Sequence, residues 1–432
     1  MKEPFDLIET HLSWIILTDA FAYKIKKPLN LGFQDFTTLE KRKLYCEQEI
    51  LYNKPVAPQI YIEVVPLINE YAVKMHRFPQ TALFSALAEQ HKITADMIGL
   101  LAQQVALFHQ TTTVCNPDAD YGDPEILFTF MEQNFLALPE NNEINAIKAW
   151  MHQKFQSHFA LFLKRKAQGF IRACHGDLHL GNIVLLENKP VLFDCIEFNE
   201  HLRWIDTMND VSFLAMDISY HHLKPLSHLF INKYVEQSQD YEGLLLLKFY
   251  QCYRAIVRAK IAHLQQLEKE QQDYLALVKN YMQSESPSLT ITFGVSGVGK
   301  TFTTEQLLMN TGAIRLRSDV FRKKIADKNE RYSEKSTQAV YHHLRDLAKM
   351  LLQNGYSVII DATCLQQWQR QLFIALATEL KLPFTILALH VPIDILRQRI
   401  AARGDMNVNV LALQLKTMEP LTAQEQEFCS KT

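Results

Sequence analysis

Two short stretches of this 432-residue sequence concentrate side chains that could do chemistry. In the first, His175-Gly176-Asp177-Leu178-His179-Leu180-Gly181-Asn182 has the spacing H-x-D-x-x-x-x-N, and Asp194 follows twelve residues beyond Asn182, after the apolar run Val191-Leu192-Phe193. An Asp in such a loop can accept the proton of an attacking hydroxyl, while an Asn and a second carboxylate offer oxygen ligands to Mg²⁺. In the second stretch, Gly294-Val295-Ser296-Gly297-Val298-Gly299-Lys300-Thr301 matches G-x-x-x-x-G-K-[ST]. Gly294, Gly297 and Gly299 let backbone N–H groups turn inward around an anion, and the helix expected to follow adds its positive end. Lys300 would reach the β- and γ-phosphates of a nucleotide, and the Thr301 hydroxyl would take a place on Mg²⁺. The windows 176–181 and 294–299 hold five of the 13 glycines of the chain. Glycine used so sparingly and then clustered marks unusual dihedrals or close approach.

Other polar residues fall where they could assist. Ser318-Asp319 follows Ile314–Arg317, and Asp361 ends the run Ser357-Val358-Ile359-Ile360. Both acids sit at strand ends, where open α/β sheets bind ligands. Asp361 could hold Mg²⁺ through water, and Asp319 could orient or deprotonate an acceptor hydroxyl; the plainer reading of each is a cap or turn carboxylate. Arg399 and Arg403 lie four apart on one helix face, able to close over phosphates or to stand solvated. Upstream, Lys24 in Phe21-Ala22-Tyr23-Lys24 could neutralise phosphates and pair with Glu49 on the following helix, with Lys26 its rival on the same strand face. His175 and His179, also four apart, raise a zinc reading, but Gly176 and Gly181-Asn182 argue against the helix that reading needs.

These residues need elements to hold them. Alternation predicts strands over 12–17 and 21–25 about a turn at Thr18-Asp19, a helix over 38–53, and strands over 60–66 and 71–75. Largely helical sequence runs from 81 to 166, then a loop and a hairpin turning at Asn188 fill 171–198, and helix continues through 241–282. That hairpin would return Asp194 to Asn182. Ser284-Glu285-Ser286-Pro287-Ser288 breaks the pattern and predicts a linker. Beyond it, strands near 289–293, 313–316, 357–361 and 384–391 alternate with helices, as in a parallel sheet with helices on its faces.

Bulk composition excludes several classes. Net charge is −2, so no basic field points to nucleic acid or an anionic membrane. With 48% hydrophobic and 21% charged residues the chain reads as ordinary globular protein of two or three domains. Seven cysteines without a C-x-x-C pair read as reduced thiols, and no leader or spanning stretch is evident, so a cytoplasmic location is expected.

The loop 175–182 has the spacing of the protein-kinase catalytic loop, and HGDLHLGN followed by LFDCIEFN resembles the aminoglycoside phosphotransferase/choline kinase family. The likeness extends to the two-domain bacterial proteins that join such a domain to a P-loop kinase-like domain, whose small lobe the opening residues 8–51 also resemble. Residues 289–420 resemble AAA-type predicted kinases, relatives of gluconate kinase and polynucleotide kinase, through GVSGVGKT, the SD after the next strand, DAT at 361–363 with Arg370 following, and the Arg-rich segment. The resemblance implies an α+β protein-kinase-like (aminoglycoside phosphotransferase-like) domain over 1–283 and an α/β P-loop NTPase domain over 289–432. It also implies ATP and Mg²⁺ as cofactors, a small-molecule acceptor, Asp177 as base, Asn182 and Asp194 as metal ligands, and Lys24 with Glu49 at the phosphates. Asp206 and Asp210 fit the family's D-x-x-x-D stretch, with Asp210 buttressing the catalytic loop. The sequence departs from protein kinases in having no glycine before Gly32, hence no Gly-rich lid. The segment 404–407 offers only a short lid to the second domain. An ATP-dependent phosphotransferase with two Mg·ATP sites is the leading expectation. Its alternatives are a first domain that senses a ligand and regulates the second, and a P-loop domain that acts as an ATPase or nucleotide switch.

Overall fold

The computed structural model describes residues 6–10, 12–30, 35–283, 286–325, 333–403 and 408–430, with backbone only at 324–325, 400–403 and 408–410. The chain divides into two compact units, Met1–Lys224 with Leu246–Met282, and Pro225–Leu245 with Gln283–Thr432.

The first unit opens with a five-stranded antiparallel sheet of β1 (Asp6–Glu9), β2 (Ser13–Leu17), β3 (Phe21–Lys26), β4 (Tyr61–Leu67) and β5 (Glu70–His76), in the order β1-β2-β3-β5-β4. β1 is an edge strand with mostly exposed side chains, so it carries no apolar alternation by which sequence could announce it. Its presence makes Thr18-Asp19 the second hairpin turn of the sheet. The β1–β2 connection is closed by Thr10 and Ser13: Thr10 N–H donates to Ser13 O and Ser13 N–H to Thr10 Oγ1, both at 2.9 Å. The helix Leu39–Asn53 starts at Thr38, whose hydroxyl caps Lys41 N–H. It buries Arg42, Cys46, Glu49 and Asn53, spaced four, three and four apart on one face. That buried stripe is mainly polar, which serves the site rather than the core.

After the helices Ala95–Thr111, Pro124–Leu136 and Asn142–Ala167, β6 (Ile171–Ala173) pairs with β9 (Trp204–Asp206). Between them β7 (Ile183–Leu186) and β8 (Lys189–Leu192) form a hairpin. Its turn residues Glu187 and Asn188 both have positive φ, 48° and 61°, the pattern of a type I′ turn that matches strand twist. The stretch 241–282 is not one helix. Leu244–Leu264 ends where Gln266 adopts φ 60°, with Leu267 N–H bonded to Ala262 O and Gln266 N–H to His263 O, and Glu268–Met282 begins anew. This is a Schellman ending without its usual glycine, hence without a sequence signal.

The second unit is built on four parallel strands, β10 (Leu289–Phe293), β11 (Ile314–Arg317), β12 (Val358–Asp361) and β13 (Phe384–Ala388), in the order β11-β12-β10-β13. The helix Lys224–Ser238 belongs here for a local reason. Asn232 of that helix donates to Ala313 O (3.1 Å) and accepts from Arg315 N–H (2.8 Å), while Glu236 pairs with Arg315 and Arg317. These bonds engage the edge strand β11, which would otherwise offer unpaired backbone groups. Among the described residues no helix is long and apolar enough to cross a membrane.

Candidate active sites

In the first unit β3 and the helix Leu39–Asn53 meet through charges. Lys24 Nζ donates to Glu49 Oε1 at 2.9 Å and to Asp194 Oδ1 at 2.5 Å. Lys26 Nζ donates to Glu49 Oε2 at 2.7 Å and also binds Glu197. Both lysines therefore grip one carboxylate, but only Lys24 touches Asp194; Lys26 is closed between two buried acids. Glu49 is fully buried, and burial pushes its carboxyl up; Lys24 and Lys26 outweigh that, holding it at about 2 against an ordinary 4.5. Burial likewise disfavours charge on Lys24, yet Asp194, Glu49 and Glu197 together hold its pKa well above the usual lysine range.

The β7–β8 hairpin carries Asp194 back to the loop 175–182, and Phe193 N–H bonds Asn182 O at 3.1 Å. Asp194 itself has φ 65°, a left-handed conformation uncommon outside glycine and Asn/Asp, with its N–H on the Tyr61 hydroxyl at 3.1 Å. Asn182 Nδ2 donates to Asp177 O and Oδ2, at 2.9 and 3.2 Å, which turns its Oδ1 the other way. Asn182 Oδ1 and the Asp194 carboxylate are hard oxygen donors, the set that suits Mg²⁺. His179 sits on the other side of Asp177. Its Nδ1 accepts from Gly181 N–H at 3.0 Å, so Nε2 carries the proton that faces Asp177 Oδ2 at 3.4 Å. Burial pushes the Asp177 carboxyl up, but His179 overrides it and holds it well below the usual range. Burial lowers and Asp177 raises the His179 pKa, with a net rise above 6.5.

The loop backbone has its own supports. Asp210 accepts from the N–H groups of His175 and Gly176, both at 3.0 Å, and contacts His109 Nε2 at 3.2 Å. Asp206 holds the buried Arg165 with two bonds of 2.7 Å and caps the helix Thr207–Tyr220. Gly176 has φ 83°, and a Cβ there would lie 2.6 Å from Leu202 O. His175 and His179 are not on a helix. His175 is engaged through Nε2 with Phe193 O and through Nδ1 with Asp177 N–H, so the two imidazoles serve the loop rather than a shared metal.

In the second unit the loop 294–299 joins β10 to the helix Lys300–Thr311. Gly294, Gly297 and Gly299 have φ of 148°, 90° and 102°. A Cβ on Gly294 would meet Leu389 O at 2.7 Å. Lys300 Nζ donates to Gly294 O and Val295 O, at 3.0 and 2.9 Å, so its charge lies across the loop. Thr301 follows in the first helical turn, its carbonyl accepting from Arg315 at 3.1 Å. Asp361 ends β12, buried, with Thr304 Oγ1 at 3.4 Å and Arg317 Nε at 3.8 Å. Asp319 is exposed in the first turn of Ser318–Ile325. Arg399 reaches the loop, donating to Gly297 O and Val298 O at 3.3 and 3.4 Å. The side chain of Arg403 lies outside the described residues. Arg370 is fully buried, paired with Glu425 and bonded to the carbonyls of Cys364, Leu365, Glu419 and Pro420.

Three participants were missed in the sequence. Glu197, three residues beyond Asp194, gives Lys26 its second acid. Asn53 brackets Cys195, accepting from its N–H at 2.7 Å and donating to its carbonyl at 3.3 Å. Gln414 accepts from Ser296 N–H at 2.9 Å and donates to Ser296 Oγ at 3.1 Å across 118 residues. The acid after Asp194 was the only available signal; the other two pairings depend on folding.

Uncharacterized proteins of Mycobacterium tuberculosis strain H37Rv and Mycobacterium bovis are each 26% identical over 441 residues, spanning 95% of this chain and 89% of theirs. Among solved structures, the GDP complex of aminoglycoside 2'-phosphotransferase-IIIa is similar at 12% identity and TM-score 0.42, over 65% of this chain and 92% of that one. Cryptosporidium parvum choline kinase gives 9% and 0.44, over 65% and 88%. A sugar kinase from Janibacter sp. gives 23% and 0.28, over 32% and 82%. Residues 50–246 match the family model described as phosphotransferase enzyme family, and residues 289–421 the model described as AAA domain. The chain thus joins a kinase-like domain of the phosphotransferase enzyme family to an AAA-type P-loop domain.

Proposed function

We propose that the chain is an ATP-dependent phosphotransferase with two Mg·ATP sites, each passing the γ-phosphoryl group to a small hydroxyl-bearing acceptor. The observation that carries this reading is the pair of contacts by which Lys24 joins Glu49 to Asp194, one bond from the loop that presents Asp177. Lys24 would face the phosphates, held in place by Glu49, and Asn182 and Asp194 would hold Mg²⁺. The ion would neutralise charge on the transferred group. Asp177, kept ionised by His179 and 42% exposed, would take the acceptor proton as the new P–O bond forms and the bond to the bridging oxygen of ADP breaks.

In the second unit Gly294, Gly297 and Gly299 would cradle phosphates, with Lys300 turning from loop carbonyls to phosphate oxygens. Thr301 would take a place on Mg²⁺ and Asp361 a water-mediated one, with Asp319 toward the acceptor. Arg399, already on the loop, would add charge to the transferred group, a role proposed for Arg403 as well. All seven cysteines are free and six are buried, which supports a reducing, cytoplasmic setting. The balanced net charge supports neither a nucleic-acid nor a membrane partner.

A second reading keeps the first domain as a ligand sensor. It is favoured by the lack of any glycine before Gly32 and by the Thr10 and Thr18 hydroxyls, which accept from Ser13 N–H and Phe21 N–H where the first strands connect. One experiment decides: a metabolite-library screen for ATP-dependent phosphorylation with the wild type, Asp177→Ala and Lys300→Ala. Separate products lost in each variant support two transferases. Loss of all transfer in Lys300→Ala with none lost in Asp177→Ala favours the sensor, and transfer unchanged in the double variant refutes both catalytic assignments.

A further inference from the structure

A pocket of about 400 Å³ opens behind the catalytic loop of the first unit, away from the residues assigned above. Its walls are Leu51 and Tyr52, at the end of the helix that carries Glu49, and Leu107 and Phe108 of Ala95–Thr111. Cys174 and Cys195 form part of its lining, and they are the chain neighbours of His175 and Asp194. The volume falls in the range of small-molecule sites, roughly 300–1,000 Å³.

Its one cation is unusual. Arg203 lines the pocket with its guanidinium carbon 3.8 Å from the Tyr52 ring centroid, and only 15% of its side chain is exposed. Its Nε is buried and has no hydrogen-bond partner among the described residues, while its nearest carboxylate, on Glu200, stands 3.8 Å from a terminal nitrogen. A buried N–H left without an acceptor is unfavourable, and a charged one more so. At the rim, Leu51 and Leu107 are 65% and 50% exposed, apolar surface that water covers poorly.

We propose that this pocket is a binding site for a small apolar anion, whose carboxylate, sulfonate or phosphate head accepts from Arg203 and whose body lies between Leu51, Leu107 and Phe108. The bound molecule would press on both chain segments of the catalytic centre. Asn53 already ties Cys195 to the helix of Glu49, and Ile196 N–H bonds His175 O at 3.0 Å. Occupancy therefore stiffens the two segments together. The inference rests on the pocket itself and not on the reaction proposed above.

The test uses the full chain and 8-anilinonaphthalene-1-sulfonate as probe, followed by fluorescence titration and calorimetry. Expected are saturable one-to-one binding, affinity lower by about ten-fold or more in Arg203→Met, loss of binding in Leu107→Trp, and at least ten-fold weaker binding of neutral N-phenyl-1-naphthylamine. Hydrogen exchange over 174–182 and 191–197 should slow in the bound wild type. No saturable binding, or binding equal in Leu107→Trp and the wild type, overturns the proposal. Should Arg203→Met lose its cooperative melting, the exposed-rim variant and the neutral analogue still decide.

Discussion

Replacing Glu49 by Gln tests the charge cluster at the heart of the first unit. Three carboxylates, Glu49, Asp194 and Glu197, face two ammonium groups, Lys24 and Lys26. Glu49 is the one acid that both lysines share, and it is fully buried. Its carboxyl titrates at about 2 in place of 4.5. At about 1.4 kcal/mol for each pKa unit, ionised Glu49 contributes roughly 3 kcal/mol of stability at neutral pH. Gln keeps the shape but not the charge, and its amide nitrogen would face a lysine, donor against donor. Loss of roughly 3 kcal/mol is therefore expected at pH 7. The sign follows from a depressed acid: the contribution is complete above pH 4.5 and disappears as pH falls toward 2. The gap between wild type and Glu49→Gln must then narrow in acid. Urea unfolding of the full chain, read by hydrogen exchange on peptides from β3 and the helix Leu39–Asn53, reports this unit separately. A gap under about 1 kcal/mol at pH 7, or one that stays constant down to pH 3, would refute the reasoning.

Two further outcomes are expected. NMR titration of His179 should give a pKa above 6.5 in the wild type and a lower one in Asp177→Asn, where burial loses its main opponent; stability gained from this pair is present below pH 6.5 and fades as pH rises through the folded pKa, and an unmoved titration would break the link. Arg370→Met should destabilise the second unit by about 3–5 kcal/mol, because it strands the buried Glu425 and removes the tie between 364–365 and 419–420; a change under about 1 kcal/mol would show that the guanidinium is not a structural anchor.

Much of each site was legible where function depends on a few consecutive residues. G-x-x-x-x-G-K-[ST] specifies a backbone path, and the observed φ values of Gly294, Gly297 and Gly299 are ones that L side chains rarely adopt. Thr38 announces its helix because a hydroxyl can cap the first turn. The turn at Asn188 was legible, and with it the return of Asp194 to Asn182. Arg370 was legible only as a motif member; its burial against Glu425 joins residues 55 apart in the sequence. The break at Gln266 escaped because a glutamine took a conformation that usually selects glycine. The helix Lys224–Ser238 reads as a continuation of the first domain because its allegiance is expressed through Asn232 and Glu236, not through any local pattern.

By itself the sequence determined where the two loops lie and the order of the domains that carry them, since spacing along the chain is what those loops are made of. It preferred Lys24 but kept Lys26 as a rival, because residues two apart on a strand share a face. Only the tertiary structure separated them. The hairpin β7–β8 returns Asp194 within 2.5 Å of Lys24, while Glu197 closes on Lys26. The physical reason is that pairing energy depends on distance through space and on exclusion of water, and neither is a property of sequence separation.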